Sequence, residues 1–553
     1  MSEAGPGAPS VKAQCLPFTE IPHTSRLFAD FLHSFPKVSQ FYPRPPQYTN
    51  WISEQASKIS YDPARRQQIA AVLLRQNRAW SASEKTLANL AKFESGALVA
   101  VTGQQVGLFG GPLFTIFKVL SAVKLAEEAS AKGIPCVPIF WMATEDHDLA
   151  EINHAWMLGT QGELRSIATP TKGIEGAPVG GIQFGDEILP VVEQVAALLG
   201  ESEATAWLRD AYRPGETFGG AFAKFYSRVF GELGVILLDP SDPELHGIAR
   251  PIYAGAIQHA KELNDGLLQR GKELTAGGYH EQVKVTPSST ALFEVRNGVR
   301  TAIHHVRSAS GSEAEETFDV GGARISQAAL LDQIVTRPED FNPNALLRPV
   351  VQDFLLPTLA YVGGPAEVAY FAQSAVIYEK LLGRVTPILP RFSATIVDAK
   401  LAGLMTRYGL QLSDLFPGPQ AVRQMIGNRT LPPEIHAEFD AAQQAFEDSL
   451  ARVRGSLERL DSTLIDAADR AGRKIRYQLT RLRERAARAE LRRSEILSRH
   501  AALLSNSLYP EKVQQERELS AAVFLARHGA DFPIRVMENV NPDCVDHQIL
   551  FWE

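Results

Sequence analysis

Cysteine is scarce in this chain: 553 residues hold three, Cys15, Cys136 and Cys544. They stand far apart and form no CxxC, so neither a disulfide framework nor a thiolate zinc cage is expected, and the compartment reads as reducing and cytosolic. Long apolar runs are missing too. The most continuous, about 134–143, is far short of the roughly 20 residues a spanning helix needs. The apolar stretch 354–378 is broken by Gly363, Gly364, Pro365 and Glu367, so no membrane partner is expected. The opening Met1-Ser2-Glu3-Ala4-Gly5-Pro6 has an early acid, two helix breakers and no apolar stretch behind it, and no targeting segment is read there. Positive charge is not in excess either. A net charge of −7 argues against a nucleic-acid partner.

What remains is an ordinary globular composition, 45% apolar and 22% charged, on a chain long enough for two to four structural units. Ala97-Leu98-Val99-Ala100-Val101-Thr102 reads as a parallel strand buried on both faces. A glycine-rich turn, 103–111, follows it, and Pro112 is placed to open a helix that closes at Gly133. Pro135 to Trp141 reads as a second strand and Gly234 to Pro240 as a further sheet member. These are the parts of a doubly wound α/β sheet. The alternating, Gly-rich stretches near 165–190 and 280–325 suggest inserted β structure. Residues 345–400 read as helix, then a loop at 361–365, a second helix at 366–382 and the segment 385–391.

The end of the chain changes character. Apolar or small residues at 446, 450, 453, 457, 460, 464, 467 and 471 make a 4-3 heptad seam, continued from Ile475 to Ile496 after a stutter. With no proline from 434 to 509, this predicts an exposed coiled-coil arm, an antiparallel or dimeric helical domain over 436–506. Residues 451–500 carry 14 Lys and Arg against 7 Asp and Glu, either a solvated surface or a wall for a phosphate-bearing ligand or a dimer partner. Phe551-Trp552-Glu553 is expected to pack back onto the body.

Three constellations carry chemistry. In the first, Gly103, Gly107, Gly110 and Gly111 would aim backbone N–H groups at an anion near a helix start, with Thr115 and Lys118 on one helix face. The second is Thr144 to His154, beyond the end of the second strand. Residues 134–160 hold four acids, Glu145, Asp146, Asp148 and Glu151, and no basic residue. Such crowding calls for a cation, a protonated ligand or a histidine. If the segment is helical, His147 and Glu151 lie one turn apart, and the cluster reads as a metal site, as an ammonium site with His147 or Glu145 as general base, or as a capped helix. The third joins Arg348, Gln352 and Asp353 to Glu367, Tyr370 and Arg391, with the arginines suited to an acidic substrate.

Together these blocks resemble the bacillithiol biosynthesis cysteine-adding enzymes, the BshC family. The residues that carry the likeness are Gly103-Gln104-Gln105, Gly110 to Thr115 and Lys118; Pro138 to Trp141, Glu145 to Asp148 and Glu151 to His154; Arg348-Pro349, Gln352-Asp353, Gly363 to Glu367, Tyr370 and Pro390-Arg391; and Leu508-Tyr509-Pro510 with Gln515-Glu516-Arg517. The resemblance implies a Rossmann-like core with connecting insertions plus a C-terminal α-helical coiled-coil domain, divided as 1–160, 161–330, 331–435, 436–506 and 507–553. It also implies a homodimer and a cytoplasmic ligase that joins cysteine to the amine of glucosaminyl-malate. Members look like relatives of class I aminoacyl-tRNA synthetases, yet this sequence lacks HIGH and KMSKS. It also lacks the Cys/His set with which the mycothiol cysteine ligase holds zinc, so no metal is expected. A nucleotide, ATP or ADP, is implied near the helical domain, and ATP is the natural activator because amide formation in water is uphill.

His147, Glu145, Asp148 and Lys118 are then the catalytic candidates. The substrate-binding candidates are Gly103, Gln104, Gln105, Gly110, Gly111, Thr115, Asp146, Asn153, His154, Arg348, Gln352, Glu367, Tyr370 and Arg391. A metal-dependent hydrolase using His147, Asp148, Glu151 and His154, and a non-enzymatic nucleotide-binding scaffold, are the competing readings.

Overall fold

In the computed structural model, residues 12–306, 316–493, 495–541 and 543–552 are described. The opening hexapeptide, Glu553 and part of the Gly-rich stretch 280–325 lie outside them.

Five parallel strands form the central sheet in the order Ile388–Pro390, Thr358–Gly363, Leu98–Gln104, Cys136–Met142, Ile236–Leu238. The apolar runs explain why. Val99 and Val101 pack on the helices Pro63–Ala79 and Glu84–Glu94, while Ala100 between them packs on Ala122 and Leu125 of helix Phe114–Ala131. A strand covered on both faces can be apolar at every position. The chain builds outward from Leu98–Gln104 on one side and then returns on the other, so the strand order reverses between Leu98–Gln104 and Thr358–Gly363. Ligands of open α/β sheets sit outside the carboxyl ends of such a pair.

Two readings of this region change. Helix Phe114–Ala131 starts two residues after Pro112, which instead bridges to Ser520. The expected loop at 361–365 is mostly strand: Tyr361, Val362 and Gly363 end Thr358–Gly363, all buried between two parallel neighbours. Glycine and proline nearby mask a strand only six residues long.

The insertions are an antiparallel hairpin, His154–Leu158 with Leu164–Ala168, a set of helices, and a five-stranded antiparallel sheet running from Ala323–Ser326 to Phe341–Pro343. Beyond the core, Ala394–Asp398 pairs in parallel with His547–Trp552, which pairs antiparallel with Lys12–Leu16, so the two ends of the chain share one sheet. Trp552 is buried there. The heptad segment is a helical hairpin. Helices Pro433–Leu460 and Ile465–Arg493 run antiparallel, joined by a turn in which Asp461 accepts from the Thr463 amide at 2.9 Å. The ion pairs Arg454–Asp469, Arg476–Glu447 and Arg483–Asp440 show the direction, since one position falls as the other rises. The seam reads straight through 461–464 because Leu460 and Leu464 keep the 4-3 spacing across the turn. Among the described residues no helix is long and apolar enough to cross a membrane.

Cys15 and Cys544 are disulfide-bonded, with Cα atoms 6.0 Å apart across 529 residues of sequence, and Cys136 is the buried free thiol. The expectation that no disulfide forms fails because distance along a chain says nothing of distance in a sheet that joins its two ends. Closing so long a loop restricts the unfolded chain strongly and is worth about 2–4 kcal/mol. Reductant is therefore expected to lower the urea midpoint of the wild type and to leave that of Cys544→Ser, already lowered, unmoved.

Candidate active site at the carboxyl edge of the sheet

The strand reversal opens a cleft of about 550 Å³ lined from four directions. Leu98–Gln104 delivers Gly103 and Gln104. Gly103 has to be glycine, since a Cβ there would lie 2.7 Å from the Trp141 carbonyl oxygen of the neighbouring strand. Lys118, on the helix that follows, reaches back beneath this edge. Its Nζ donates to Gly103 O at 2.8 Å, to Gln104 Oε1 at 2.9 Å and to Glu367 Oε2 at 2.6 Å. Glu367 also accepts from the Gly364 amide at 2.7 Å and from the Tyr361 hydroxyl at 2.6 Å. Burial lowers the Lys118 pKa. The same burial pushes the Glu367 carboxyl up, but Lys118 together with the Gly364 and Tyr361 hydrogen bonds outweighs it and the net shift is downward. All three ammonium protons are used, so Lys118 is not a free cation awaiting an anion.

The free positive charge lies beside it. Arg348 donates to the Tyr370 hydroxyl at 2.9 Å and to Gln352 Oε1 at 3.1 Å, both neutral partners, and its guanidinium sits over Tyr361 at 5.4 Å. Gln352 is fully buried and holds Arg348 from behind instead of facing the cleft. Arg391 is paired: its Nη2 donates to Glu516 Oε1 at 2.6 Å. Glu516, wholly buried, also accepts from Ser393 Oγ and the Ala394 amide, both at 2.8 Å. Next in sequence, Arg517 faces the cleft with no hydrogen-bond or ion-pair partner among the described residues. Four cations, Lys118, Arg348, Arg391 and Arg517, thus meet two carboxylates, Glu367 and Glu516, leaving a surplus of two positive charges.

The opposite end is acidic. Glu145, Asp146 and Glu151 line it. Gln105 Nε2 donates to Asp146 Oδ2 at 2.7 Å and to Glu151 Oε2 at 2.8 Å, holding two carboxylates with one amide. Behind Glu145 lies buried His246, Nε2 to Oε1 3.2 Å; burial disfavours its charged form, but Glu145 raises its pKa overall. Arg300 is the one guanidinium at this end. It donates to His147 Nδ1 at 3.0 Å and to Pro343 O at 3.1 Å. With Nδ1 accepting from Arg300, a neutral His147 carries its proton on Nε2. His147 itself lies in an adjoining chamber of about 360 Å³, not in the main cleft. Trp141 supplies a buried indole N–H without a protein partner.

Several expected site residues do other work. The 145–154 segment is helical only over Leu149–Ile152, so His147 and Glu151 do not share a helix face. Asp148 is exposed and caps that helix, accepting from the Glu151 amide at 3.0 Å. Asn153 ends it, and His154 begins a strand with Nδ1 3.2 Å from Ala150 O. Among the described residues no three His, Cys, Asp or Glu side chains converge as a metal site requires. The glycine turn is no anion cradle, and its amides do not fit a phosphate. Gly107 N donates to Gln105 O, Gly110 N to the Tyr212 hydroxyl and Gly111 N to Leu108 O. A Cβ on Gly110 would strike Phe225 at 2.8 Å, which makes the turn a packing device. Thr115 is wholly buried outside the cleft. Arg300, His246, Glu516 and Arg517 were not singled out as site residues by the sequence. Glu516 and Arg517 stand in a block that carries the family likeness; nothing local marks Arg300 or His246. Removing one member of a buried ion pair costs roughly 3–5 kcal/mol. Glu367→Gln is therefore expected to destabilise the protein by about that much in chemical denaturation, with part recovered in the Lys118→Met, Glu367→Gln double variant.

A family model described as Bacillithiol biosynthesis BshC, N-terminal Rossmann-like domain, matches residues 11–392, and one described as Bacillithiol biosynthesis BshC, C-terminal coiled-coil domain, matches 394–552. Proteins named "Putative cysteine ligase BshC" from Koribacter versatilis, Solibacter usitatus and Salinibacter ruber are 45%, 38% and 31% identical to this chain. The alignments cover 97%, 97% and 95% of this chain and 99%, 99% and 96% of theirs. With both domain models matched in order and the relatives aligned over nearly their whole length, the chain belongs to the BshC family of bacillithiol biosynthesis.

Proposed function

We propose that this protein is a ligase that joins the carboxyl of L-cysteine to the amine of glucosaminyl-malate. The observation that carries the proposal is the polarity of the cleft: two surplus positive charges at one end, and three carboxylates against one arginine at the other. Glucosaminyl-malate carries both signs on one molecule, a dicarboxylate attached at the anomeric carbon and an ammonium on the carbon next to it. Arg348, whose hydrogen-bond partners are both neutral, would grip a malyl carboxylate, guanidinium to carboxylate being the strong, geometrically selective pairing; Arg391, paired with Glu516, lines the same end. Glu145, Asp146 and Glu151 would hold the ammonium. Glu145 lines the cleft with His246 behind it, whereas His147 does not line the cleft, so Glu145 takes the part of proton acceptor in this reading. In the step itself the ammonium first gives a proton to Glu145, the freed amine nitrogen bonds to the cysteine carboxyl carbon, the carbon–oxygen bond to the phosphate-bearing group that activation put there breaks with that group leaving as an anion, and the nitrogen's second proton passes to solvent. Holding both reactants in one cleft is the main source of acceleration.

Activation of the cysteine carboxyl by ATP stays in the proposal on thermodynamic grounds. The glycine turn gives it no phosphate site, and a nucleotide near the helical domain is an expectation of the resemblance alone. The homodimer belongs to the proposal as well, carried by the apolar side chains that the helical hairpin leaves in solvent, Leu460 at 77% exposure among them. A hydrolase built on His147, Asp148, Glu151 and His154 has less support, because each of the four is engaged separately. Purified protein given cysteine, glucosaminyl-malate and ATP is expected to form the amide; absence of any thiol product rules the reading out. Arg348→Ala should raise the KM for glucosaminyl-malate by about tenfold to hundredfold, the size of a lost hydrogen bond to a charged group. Glu145→Gln should lower kcat by about 10²–10⁴-fold as the proton acceptor is lost.

A further inference from the structure

Beside the main cleft, and sharing Gln105, Phe114, Glu151 and Arg517 with it, lies a smaller pocket of about 260 Å³. One wall is the short helix Gln515–Glu518 and the residues after it. Their backbone is fixed: Leu519 O accepts from the Leu113 amide at 2.9 Å, and the Ser520 amide donates to Trp156 O at 2.9 Å. The side chains of Arg517 and Glu518 line the pocket, and among the described residues neither has a hydrogen-bond or ion-pair partner. Two adjacent, opposite and unanswered charges on a rigid segment fit a ligand that carries both signs close together. Burial, with Glu511 adding to it, raises the Glu518 carboxyl, as expected of an acid that lacks its cation. The facing wall holds Ile152, His154 and Trp156. Because His154 Nδ1 meets a carbonyl, which only accepts, Nδ1 bears the proton and Nε2 keeps a lone pair.

We propose that this pocket is the α-amino-acid subsite, in which Arg517 takes the carboxylate, Glu518 the ammonium, and His154 with Trp156 receives a small, soft side chain such as a thiol. It rests on the ligase reading for the identity of the amino acid as cysteine. Arg517 and Glu151 line both cavities, so a carboxyl held by Arg517 lies at the boundary with the main cleft, next to the end where the amine would be held. The pocket's aromatic and imidazole wall would favour sulfur over a hydroxyl or a methyl group.

The test is calorimetric titration of the full-length protein with L-cysteine, L-serine and L-alanine, beside steady-state kinetics of amide formation. Glu518→Gln and His154→Ala are expected to weaken cysteine binding and raise its KM tenfold or more, while the KM for glucosaminyl-malate stays within about twofold. Arg348→Ala should show the reverse pattern. Product formation with an unchanged KM for cysteine in both variants overturns the subsite and leaves the ligase intact. Cysteine binding that is lost in Glu518→Gln, in a wild type that forms no amide, upholds the subsite and overturns the ligase. A second variant, Arg517→Lys, guards against misfolding: equal affinity for cysteine in that protein also overturns the assignment.

Discussion

An ammonium buried at the point where the sheet reverses its strand order sets the terms for the rest of the structure. Lys118 has three protons and spends them on a strand-end carbonyl, a glutamine and Glu367. A charge taken out of water this completely is tolerated only when it is paired and every proton is bonded. The contact therefore fixes three things together: the end of Leu98–Gln104, the pitch of helix Phe114–Ala131, and the start of the helix that carries Glu367 and Tyr370. Gly103 is part of the same constraint, because only a residue without a Cβ lets that strand end lie against Trp141. With Lys118 neutralised in place, the positive field over the cleft comes from Arg348 and Arg517, at positions the pair has fixed.

A second buried pair crosses the boundary between the two family domains. Arg391 falls in the N-terminal domain, while Glu516, Ser393's partner and Ala394's, falls in the C-terminal one. Neither side chain keeps more than a few per cent of its surface in solvent. The same C-terminal segment is stitched to the body by Gln515, whose amide bonds both Ile396 N and Ile396 O. His547, held neutral by burial with its pKa pushed down to about 4, fills the gap between Ser393 and Thr395. The C-terminal domain is thus more than a helical arm, since it furnishes one wall of the cleft. A Rossmann-like half alone would expose Arg391 unpaired and lose Arg517 altogether.

The legible parts of the sequence were those where one physical rule acts alone. A strand covered on both faces must be apolar throughout, so Leu98–Gln104 and Cys136–Met142 stand out. A helix pair that buries a narrow stripe must repeat it, so the hairpin stands out, although nothing in the spacing of Leu457, Leu460 and Leu464 reports that the chain turns back between them. Reading fails where one residue type serves two ends. Glycines at 107, 110 and 111 serve an anion site or a tight packed turn equally well, and the choice is made by Tyr212, a hundred residues away. Asp148 before an apolar pair is as good a cap as a catalyst. Cys15 and Cys544 are invisible as partners until the terminal strands are known to share a sheet. His246 carries no local signal, because its role comes from Glu145 on another element.

The two ends of the cleft also constrain each other. Like charges crowded at one place raise the cost of the empty site, and beside its counter-ions each end relieves part of this with neutral side chains: Gln105 between Asp146 and Glu151, Gln352 and Tyr370 around Arg348. An amide or a hydroxyl orients a charge without cancelling it. Had lysines and carboxylates filled those places, the ends would be stable and inert. Residual field is what a dipolar ligand can use, and a ligand carrying charge of only one sign would satisfy one end and be repelled by the other. On the proposed ligase reading, selection by this cleft would rest on both charges being carried by one molecule, a property that free malate and free glucosamine each lack.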